Sequence, residues 1–345
     1  MRQRIIALGL ALGLALGMTP GTEGRAAENT KNRYQVSWMD LFDTVTTVLG
    51  YAESEDAFNE TADRIYDELK CCDRLYDIYN EYPETVNLCT VNGHPGETFE
   101  VDQRIIDLLI FAKEADDFSG HRTNAMLGSV LKIWHEAREA GIENPETARL
   151  PENAELEAAS RHTGFDLLEM DPDARTVRLT DPEASLDVGA LAKGYAVQRV
   201  CEFLPEGWLI SAGGNVAATG PKPDGSPWVI GVQNPDDLNG GFLHKVNLTA
   251  GAVVTSGDYQ RMYVVDGVSY HHIIDPETLF PAGKWRAVTV IAADSGLADA
   301  LSTSLFLMDQ AEGQALLERF GAEAVWIRKD GTQLFSPGYE AYIRP

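Results

Sequence analysis

The chain has 345 residues and a formal net charge of −25, from 53 acidic and 28 basic residues. This charge repels nucleic acids and anionic membranes, so we expect neither as a partner. Any phosphorylated ligand must then be held by local backbone N–H groups, a metal ion and one or two cations. The length suffices for one large domain or two closely packed halves.

Residues 1–27 are predicted to be a signal peptide. Residues 1–4 are basic, residues 5–18 form a short apolar stretch broken by glycines, and residues 24–27 offer small side chains for cleavage. A retained membrane anchor is the alternative. No Cys follows the apolar stretch within this region, so a lipid anchor there has no acceptor. We therefore expect an exported protein, periplasmic in an organism with two membranes.

The first half of the remaining chain is predicted to be mostly helical. Residues 34–50 are rich in β-branched and aromatic residues, which is typical of one or two strands. Helical periodicity follows over residues 54–79, 101–115, 127–140 and 153–163. Residues 166–180 alternate like a hairpin. We predict a single domain over residues 28–345, and any boundary between its halves would fall near 144–152, the most linker-like segment.

The second half is predicted to be rich in strands. Residues 186–204 indicate a turn leading into a helix, residues 297–308 a further helix and residues 324–328 a late strand. Between them lie strand-like runs at 208–220, 228–233, 245–248, 252–256, 262–265 and 287–292. Strand and helix do not alternate regularly. The sequence therefore predicts an α+β fold, with a helix-rich N-terminal half packed against a C-terminal half of mixed or antiparallel sheet.

The cysteines carry little functional information. Cys71, Cys72, Cys89 and Cys201 lack the spacing of a zinc site. An oxidising compartment would permit a bond from Cys71 or Cys72 to Cys89, and small buried thiols are the alternative.

Two glycine-containing segments have the features of a phosphate site. In the first, Asp187 is predicted at a strand end, followed by a tight turn and a helix that starts near Ala190 with Lys193 in its first turns. A helix N-terminus attracts a pyrophosphate, and Lys193 adds a full charge although it opposes the helix dipole. In the second, Gly213 and Gly214 let a ligand approach the backbone after a strand. A solvated lysine and an ordinary turn are the respective alternatives.

Two further segments hold candidate chemical groups. His272 is the best candidate for proton transfer near neutral pH, with a structural histidine as the alternative. Asp299 and Thr303 lie four residues apart on a helix, on a stripe away from its apolar face. Their oxygens suit Mg²⁺, which usually keeps several waters and binds substrate phosphates. A solvated polar face is the alternative for this pair.

These four segments, in this order, resemble the ApbE family of FAD:protein FMN transferases. The matching stretches are DVGALAKGYAV from 187, SAGGN from 211, TSGDYQRMYVVDGVSYHHIIDP from 255 and ADALSTSLFLM from 298. Residues 40–50 and 118–134 are similar to segments near the start of the family pattern. The resemblance covers nearly all of the chain after the signal peptide. It implies an ApbE-like architecture related to the T-fold.

The resemblance also implies roles for individual residues. It makes Asp187 and Lys193 contacts of the flavin nucleotide, and it places Ile274 in the FAD pocket and His272 at proton transfer. It assigns Mg²⁺ to the backbone carbonyl of Ala190 and the side chains of Asp299 and Thr303. Phe42, Thr123 and Asn124 fall where the family touches the isoalloxazine or adenosine parts of FAD. Two positions depart from the pattern: Asn124 replaces a frequent Asp, and Ser302 replaces an acidic residue of some members.

The implied reaction uses FAD as a substrate with Mg²⁺ as the cofactor. A Thr or Ser hydroxyl of an acceptor flavoprotein, part of a membrane electron-transfer complex, attacks the FMN phosphorus with His272 or Asp258 as base. AMP leaves, and the acceptor keeps FMN through a phosphoester. Such an enzyme would make at most peripheral contact with membrane complexes.

The sequence leaves three alternative functions. A magnesium-dependent FAD pyrophosphatase would use water in place of the protein hydroxyl at the same site. A non-catalytic periplasmic FAD-binding protein is disfavoured by the presence of Asp299, Thr303 and His272, because storage needs no metal at the pyrophosphate. A redox flavoenzyme is disfavoured because no G-x-G-x-x-G fingerprint opens a strand–helix unit.

Overall fold

The computed structural model describes residues 31–237 and 240–345, so the predicted signal peptide lies outside the described residues. The helices are α1 (Glu55–Tyr76), α2 (Leu88–Gly93), α3 (Gln103–Ser119), α4 (Gly128–Glu143), α5 (Asn153–Ala159), α6 (Ala192–Phe203), α7 (Ser295–Leu307) and α8 (Gln310–Phe320). The strands are β1 (Asn32–Leu41), β2 (Thr44–Ala52), β3 (Phe99–Glu100), β4 (Leu168–Asp171), β5 (Thr176–Leu179), β6 (Trp208–Ala212), β7 (Asn215–Ala218), β8 (Trp228–Gln233), β9 (Phe242–Leu248), β10 (Gly251–Gly257), β11 (Met262–Val265), β12 (Val268–His271), β13 (Ala287–Ala292), β14 (Glu323–Ile327) and β15 (Gln333–Phe335).

An antiparallel sheet of eight strands forms the centre of the fold, in the order β1-β2-β6-β7-β10-β13-β14-β15. The hairpin at the start of the described chain joins this sheet, because Thr46 pairs with Ala212 and Gly50 with Trp208. The α+β prediction is confirmed, but the sheet is not confined to the second half. The sheet takes strands from both sides of residues 144–152, and a division there stays a prediction.

The sheet is covered on both faces. The main core packs α1, α3, α6 and α7 against one face, and the hairpin β8–β9 and the C-terminal residues around Tyr339 cover the other. Every residue of β13 is buried, because this central strand has packing partners on both sides. Its sequence AVTVIA is accordingly a continuous run without the alternation of a half-exposed strand.

A smaller cluster fixes a second wall beside the sheet. Here α4 and α5 pack against the hairpin β11–β12, with the Trp134 ring stacked at 6.3 Å from the ring of Tyr270. Gly141 of α4 lies so close to Tyr263 that an added Cβ would come within 2.6 Å of that ring. This close approach holds the hairpin against α4, and the two walls leave a cleft between them.

Several elements differ from the sequence predictions. The helix expected from Ala190 begins at Ala192, and Asp187 follows no regular strand: the chain there makes a single bridge, from Ser185 to Leu127. The helices α2 and α8 and the strands β3, β12 and β15 were not predicted. The polar stripe of α7 is not solvated, because neighbouring elements cover nearly the whole helix.

The four cysteines Cys71, Cys72, Cys89 and Cys201 are free thiols in the structure. Cys72 is fully buried on α1, and this burial raises the pKa of its thiol to about 12. The structure thus has the second of the two alternatives, thiols without a bond. None of the helices in residues 31–237 and 240–345 is both long and apolar enough to cross a membrane.

Candidate active site

A cleft of about 520 Å³ opens at one end of the sheet, a size within the usual range of about 300–1,000 Å³ for small-molecule sites. It lies between the sheet with its helices and the wall formed by α4 and the hairpin β11–β12. The predicted site residues that line it are Phe42, Thr123, Asn124, Asp187, Ala190, Lys193, Gly213, His272, Ile274, Asp299 and Thr303. Residues from distant parts of the chain therefore meet in one place.

Asp299 lies at the floor of the cleft and is 5% exposed. Its Oδ2 accepts hydrogen bonds from the backbone N–H of Gly194 at 2.8 Å and from Nδ2 of Asn215 at 3.0 Å. Burial raises the pKa of this carboxyl, and the charge of Lys193 and the two hydrogen bonds oppose that rise. Because both recorded hydrogen bonds reach Oδ2, Oδ1 is left for a ligand.

Hydroxyl groups surround the next turn of α7. Ser302 donates to the carbonyl of Asp299 at 2.9 Å, and its Oγ lies 2.8 Å from Oγ of Ser256 on β10. Thr303 Oγ1 lies 3.4 Å from the same Ser256 oxygen and faces the cleft. The Ser302 side chain is thus turned toward β10.

Asp187 and Lys193 flank the start of α6. The backbone N–H of Asp187 donates to the carbonyl of Ala125 at 2.8 Å, and its Oδ1 accepts from the N–H of Gly189 at 2.8 Å. The side chain lines the cleft, and burial raises its pKa, while the hydrogen bond from Gly189 and the charge of Arg261 oppose that rise. Lys193 lies near enough to both acids to lower the pKa of Asp187 and of Asp299.

His272 follows β12 and faces the same cleft. Its Nδ1 lies 3.2 Å from the carbonyl of Gln260, so Nδ1 carries the proton and the Nε2 lone pair is free to accept one. Burial, with the charges of Arg261 and Lys193, lowers the pKa of His272 to about 3. The imidazole is therefore neutral at neutral pH, as a proton acceptor must be.

Two tight turns form the sheet side of the cleft. Phe42 and Asp43 join β1 to β2 with φ of 51° each, and the N–H of Phe42 donates to Oδ1 of Asp73 at 2.8 Å. Gly213 and Gly214 join β6 to β7, also with positive φ. Such two-residue turns fit the twist of a hairpin, but an aromatic residue there is strained. A Cβ on Gly213 would lie 2.6 Å from Oγ1 of Thr44, so the two turns need this glycine to pack together.

Thr123 and Asn124 line the cleft but direct their polar atoms into the protein. Thr123 Oγ1 lies 2.7 Å from Oγ of Ser304 on α7. Asn124 donates to the carbonyl of Thr163 at 3.0 Å and accepts from the N–H of Met126 at 2.7 Å. The Thr123 contact holds the loop after α3 against α7, and the Asn124 contacts hold the same loop to Thr163, so both residues shape the wall of the cleft.

Asp258 and Gly214 do not line the cleft. Asp258 forms an ion pair with Arg286, which also binds Asp236 at 2.7 Å. The structure therefore does not bring this sequence candidate for a second base into the cleft, because its carboxylate is paired with Arg286. In the turn with Gly214, only Gly213 faces the cleft.

The sequence did not identify several residues that line the cleft or hold a residue that lines it. Asn215 was noted only as the end of the Gly-Gly segment, yet it holds Asp299. Arg261 lies inside a recognised segment, but no spacing rule distinguishes it from a surface arginine. Arg138 and His135 lie one helical turn apart on α4, and Nη2 of Arg138 is 2.7 Å from Nδ1 of His135. The ring of Tyr79 packs on the His135 ring, with 4.9 Å between the ring centroids. The i, i+3 spacing of Arg138 and His135 was the one available signal.

The donor set fits a magnesium ion in its chemistry. Asp299, Thr303 and Ala190 all line the cleft, and the two side chains and the Ala190 carbonyl are hard oxygen donors. The described part of the chain has no group of three or more His, Cys, Asp or Glu side chains able to hold a metal. A metal here would consequently take mixed oxygen ligands, waters and the phosphates of a substrate.

Known proteins are similar to this chain in sequence and in fold. The model of the ApbE family matches residues 39–326. The FAD:protein FMN transferase of Treponema pallidum (strain Nichols) is 30% identical over 277 residues, which cover 74% of this chain and 75% of the relative. The FAD:protein FMN transferase of Klebsiella pneumoniae (strain 342) is 29% identical over 276 residues, with 78% and 82% covered.

Solved structures match over a still larger share of the chain. The ApbE protein of Thermotoga maritima superimposes with a TM-score of 0.80 at 30% identity, covering 91% of this chain and 100% of that one. The flavin transferase ApbE of Vibrio cholerae gives a TM-score of 0.75 at 24% identity, with 90% and 99% covered, which is a likeness of fold. With the family model matched from the first hairpin to β14, the chain belongs to the ApbE family.

Proposed function

We propose that the protein transfers the FMN half of FAD to a Thr or Ser hydroxyl of an acceptor protein, with Mg²⁺ as cofactor. One observation carries the proposal: Asp187, Lys193, His272, Asp299 and Thr303, from separate segments, line one cleft. The relatives named FAD:protein FMN transferase support the identity of the substrate. The reaction converts FAD and a protein hydroxyl into a phosphoester of FMN, AMP and one proton.

Asp299, Thr303 and the carbonyl of Ala190 would hold the metal. Bound there, Mg²⁺ would neutralise charge on the pyrophosphate, which is the usual contribution of a metal to phosphoryl chemistry. Gly194 and Asn215 keep Asp299 in one orientation through their hydrogen bonds to Oδ2. A buried carboxylate with a raised pKa gains most from a nearby cation, since burial penalises its charge.

His272 accepts the proton of the attacking hydroxyl at Nε2 in this proposal. The Gln260 carbonyl fixes the tautomer, because a carbonyl can only accept a hydrogen bond. Arg261 and Lys193 lower the pKa of His272, so an anionic pyrophosphate lying between these cations would raise it again. The imidazole would thereby become a stronger base only when FAD is bound.

We place this activity outside the cytoplasm, on the strength of the signal-like residues 1–27. The acceptor would be a flavoprotein of a membrane electron-transfer complex, as expected from the family resemblance.

The test uses the purified protein, FAD, MgCl₂ and an acceptor domain with a Thr or Ser flavinylation site. Intact-mass spectrometry should show the acceptor gaining the mass of FMN less water, with AMP formed in equal amount. Free FMN with AMP and an unmodified acceptor would instead identify an FAD pyrophosphatase. Intact FAD in every mixture would exclude both reactions.

Variants at the two candidate bases sharpen the test. His272→Gln removes the acceptor nitrogen and should lower kcat by about 100-fold or more, the usual contribution of a general base. Asp258→Asn, outside the cleft, should stay within about threefold of the wild type. The reverse order of effects would move the base to Asp258 and contradict the assignment of His272.

A further inference from the structure

Five cationic side chains line the cleft, and three of them have partners within the protein. Lys70 pairs with Asp73 at 2.9 Å, Arg122 with Glu312 at 3.2 Å and Arg138 with Glu139 at 3.3 Å. By contrast, the side chains of Lys193 and Arg261 make no hydrogen bond or ion pair with any other described residue. In a chain with 53 acidic residues, an arginine without such a partner beside a cleft is available to an anionic ligand.

The backbone at Arg261 is held in an uncommon conformation. Its φ is 47°, in the left-handed region that residues other than Gly, Asn and Asp rarely adopt. Residues in this region are frequent at ligand-binding positions, where the surrounding structure enforces them. The turn that carries Arg261 links β10 to β11, and its side chain lines the cleft.

A hydrogen bond ties this turn to the proposed base. The carbonyl of Gln260, which forms the peptide bond to Arg261, accepts from Nδ1 of His272 at 3.2 Å. The guanidinium and the imidazole are therefore positioned by one shared peptide group. A movement of the turn would displace both together.

The electrostatic influence of Arg261 places it apart from the metal residues. Burial and then Arg261 are the main causes of the lowered pKa of His272, and Arg261 also opposes the raised pKa of Asp187. Asp299 instead responds to Lys193. Lys193 also affects His272 and Asp187, so its influence extends across the cleft, whereas that of Arg261 is confined to the side of His272 and Asp187.

We propose that Arg261 binds the pyrophosphate of FAD directly, through the non-bridging oxygens of the phosphate that is attacked, opposite the metal residues. The inference rests on the proposed function and deepens it. A guanidinium presents a planar fork of N–H donors that matches two phosphate oxygens, and it stays protonated throughout. The acceptor oxygen forms its bond to the FMN phosphorus, the bond to the AMP oxygen breaks, and the hydroxyl proton passes to Nε2 of His272. Arg261 would offset the charge on the phosphoryl oxygens during this step.

The first test measures binding, without turnover. ADP carries the pyrophosphate and adenosine lacks it, so their dissociation constants are compared for wild type, Arg261→Gln and Arg261→Lys in MgCl₂. Loss of a charge-assisted bidentate contact should raise the dissociation constant of ADP by about 10- to 100-fold in Arg261→Gln and by less in Arg261→Lys. Adenosine affinity should be unchanged. Arg33→Gln removes the same charge from the exposed start of β1, far along the strand from the turn at Phe42, and controls for net charge.

The second test measures FMN transfer. Arg261→Gln should lower kcat more than it raises KM for FAD, and guanidinium ion added to Arg261→Gly should restore part of the lost kcat. Equal ADP affinity and equal kcat/KM in Arg261→Gln and Arg33→Gln would overturn the inference, provided that the wild type transfers FMN. A wild type that leaves FAD intact would overturn the proposed function itself, which distinguishes the two failures. The unfolding temperature of each variant shows whether it is folded. If Arg261→Gln does not fold, Arg261→Lys is compared with Arg33→Gln in its place.

Discussion

Replacing Asn215 by alanine removes one of the two hydrogen bonds recorded for the Asp299 carboxylate. Asn215 is 2% exposed, and its Nδ2 lies 3.0 Å from Oδ2 of Asp299. The remaining donor is the N–H of Gly194, at 2.8 Å from the same oxygen. In Asn215→Ala the carboxylate would rotate more freely about its last bond, so Oδ1 would no longer be held toward the proposed metal.

The size of the effect follows from the type of bond lost. A hydrogen bond to a charged group contributes about 1.5–3 kcal/mol, which corresponds to a factor of about 10 to 150 in an equilibrium constant. Groups that orient a metal ligand usually change metal affinity by about 10- to 100-fold. We therefore expect the Mg²⁺ concentration that gives half-maximal FMN transfer to rise by about 10- to 100-fold in Asn215→Ala.

The assay is a titration of FMN transfer with MgCl₂ at saturating FAD. Asn87→Ala is the control: Asn87 is likewise a buried asparagine whose amide group donates hydrogen bonds, in its case two, to the carbonyls of Arg74 and Asn80. It should lower stability without changing the Mg²⁺ requirement. Half-maximal Mg²⁺ within twofold of Asn87→Ala would refute the argument that Asn215 orients Asp299.

Three further predictions concern packing, turn geometry and pH. In Gly194→Ala, the new Cβ would lie 2.4 Å from the Cβ of Asp299, so α6 and α7 must separate; denaturant unfolding should show a loss of about 1–3 kcal/mol. Asp73→Ala removes the acceptor of the Phe42 N–H, and steady-state kinetics should show KM for FAD raised by about 2- to 10-fold. A hydrogen bond from an arginine of α3 lowers the pKa of Glu68 below its usual 4.5. The charged Glu68 thus stabilises the fold at pH values above 4.5. Unfolding curves of Glu68→Gln should therefore show lower stability than the wild type at pH 7, and the two proteins should become equally stable as the pH falls through the lowered pKa.

Local periodicity accounts for what the sequence predicted well. Leu297, Leu301 and Leu305 recur at helical spacing, and this fixed both the helix α7 and the common orientation of Asp299 and Thr303. The sequence did not predict whether that stripe faces water or a cleft. That depends on β10 and α6, which contact α7 from distant positions in the chain.

Long-range pairs account for what was missed. Asp258 stands beside residues of the cleft in sequence, but Arg286, 28 positions away, holds it elsewhere. Asn215 lies 84 positions from Asp299 and has no local feature that marks it as a partner. A spacing rule is informative within one helix or hairpin, whereas these contacts arise from the order of strands in the sheet.

The order of strands also explains why the cleft lies where it does. Because β2 pairs with β6 and β7 pairs with β10, the turns at Phe42 and Gly213 and the last residues of β10 fall at one end of the sheet. The hairpin turns there are too short to cover that end, and α6 and α7 direct Lys193 and Asp299 into the remaining space. The strained φ of Phe42 and of Arg261 occurs on segments that border this space from opposite walls. Strain at these two positions holds both side chains in the cleft before a ligand binds, since relaxation of either turn would move a side chain out of it.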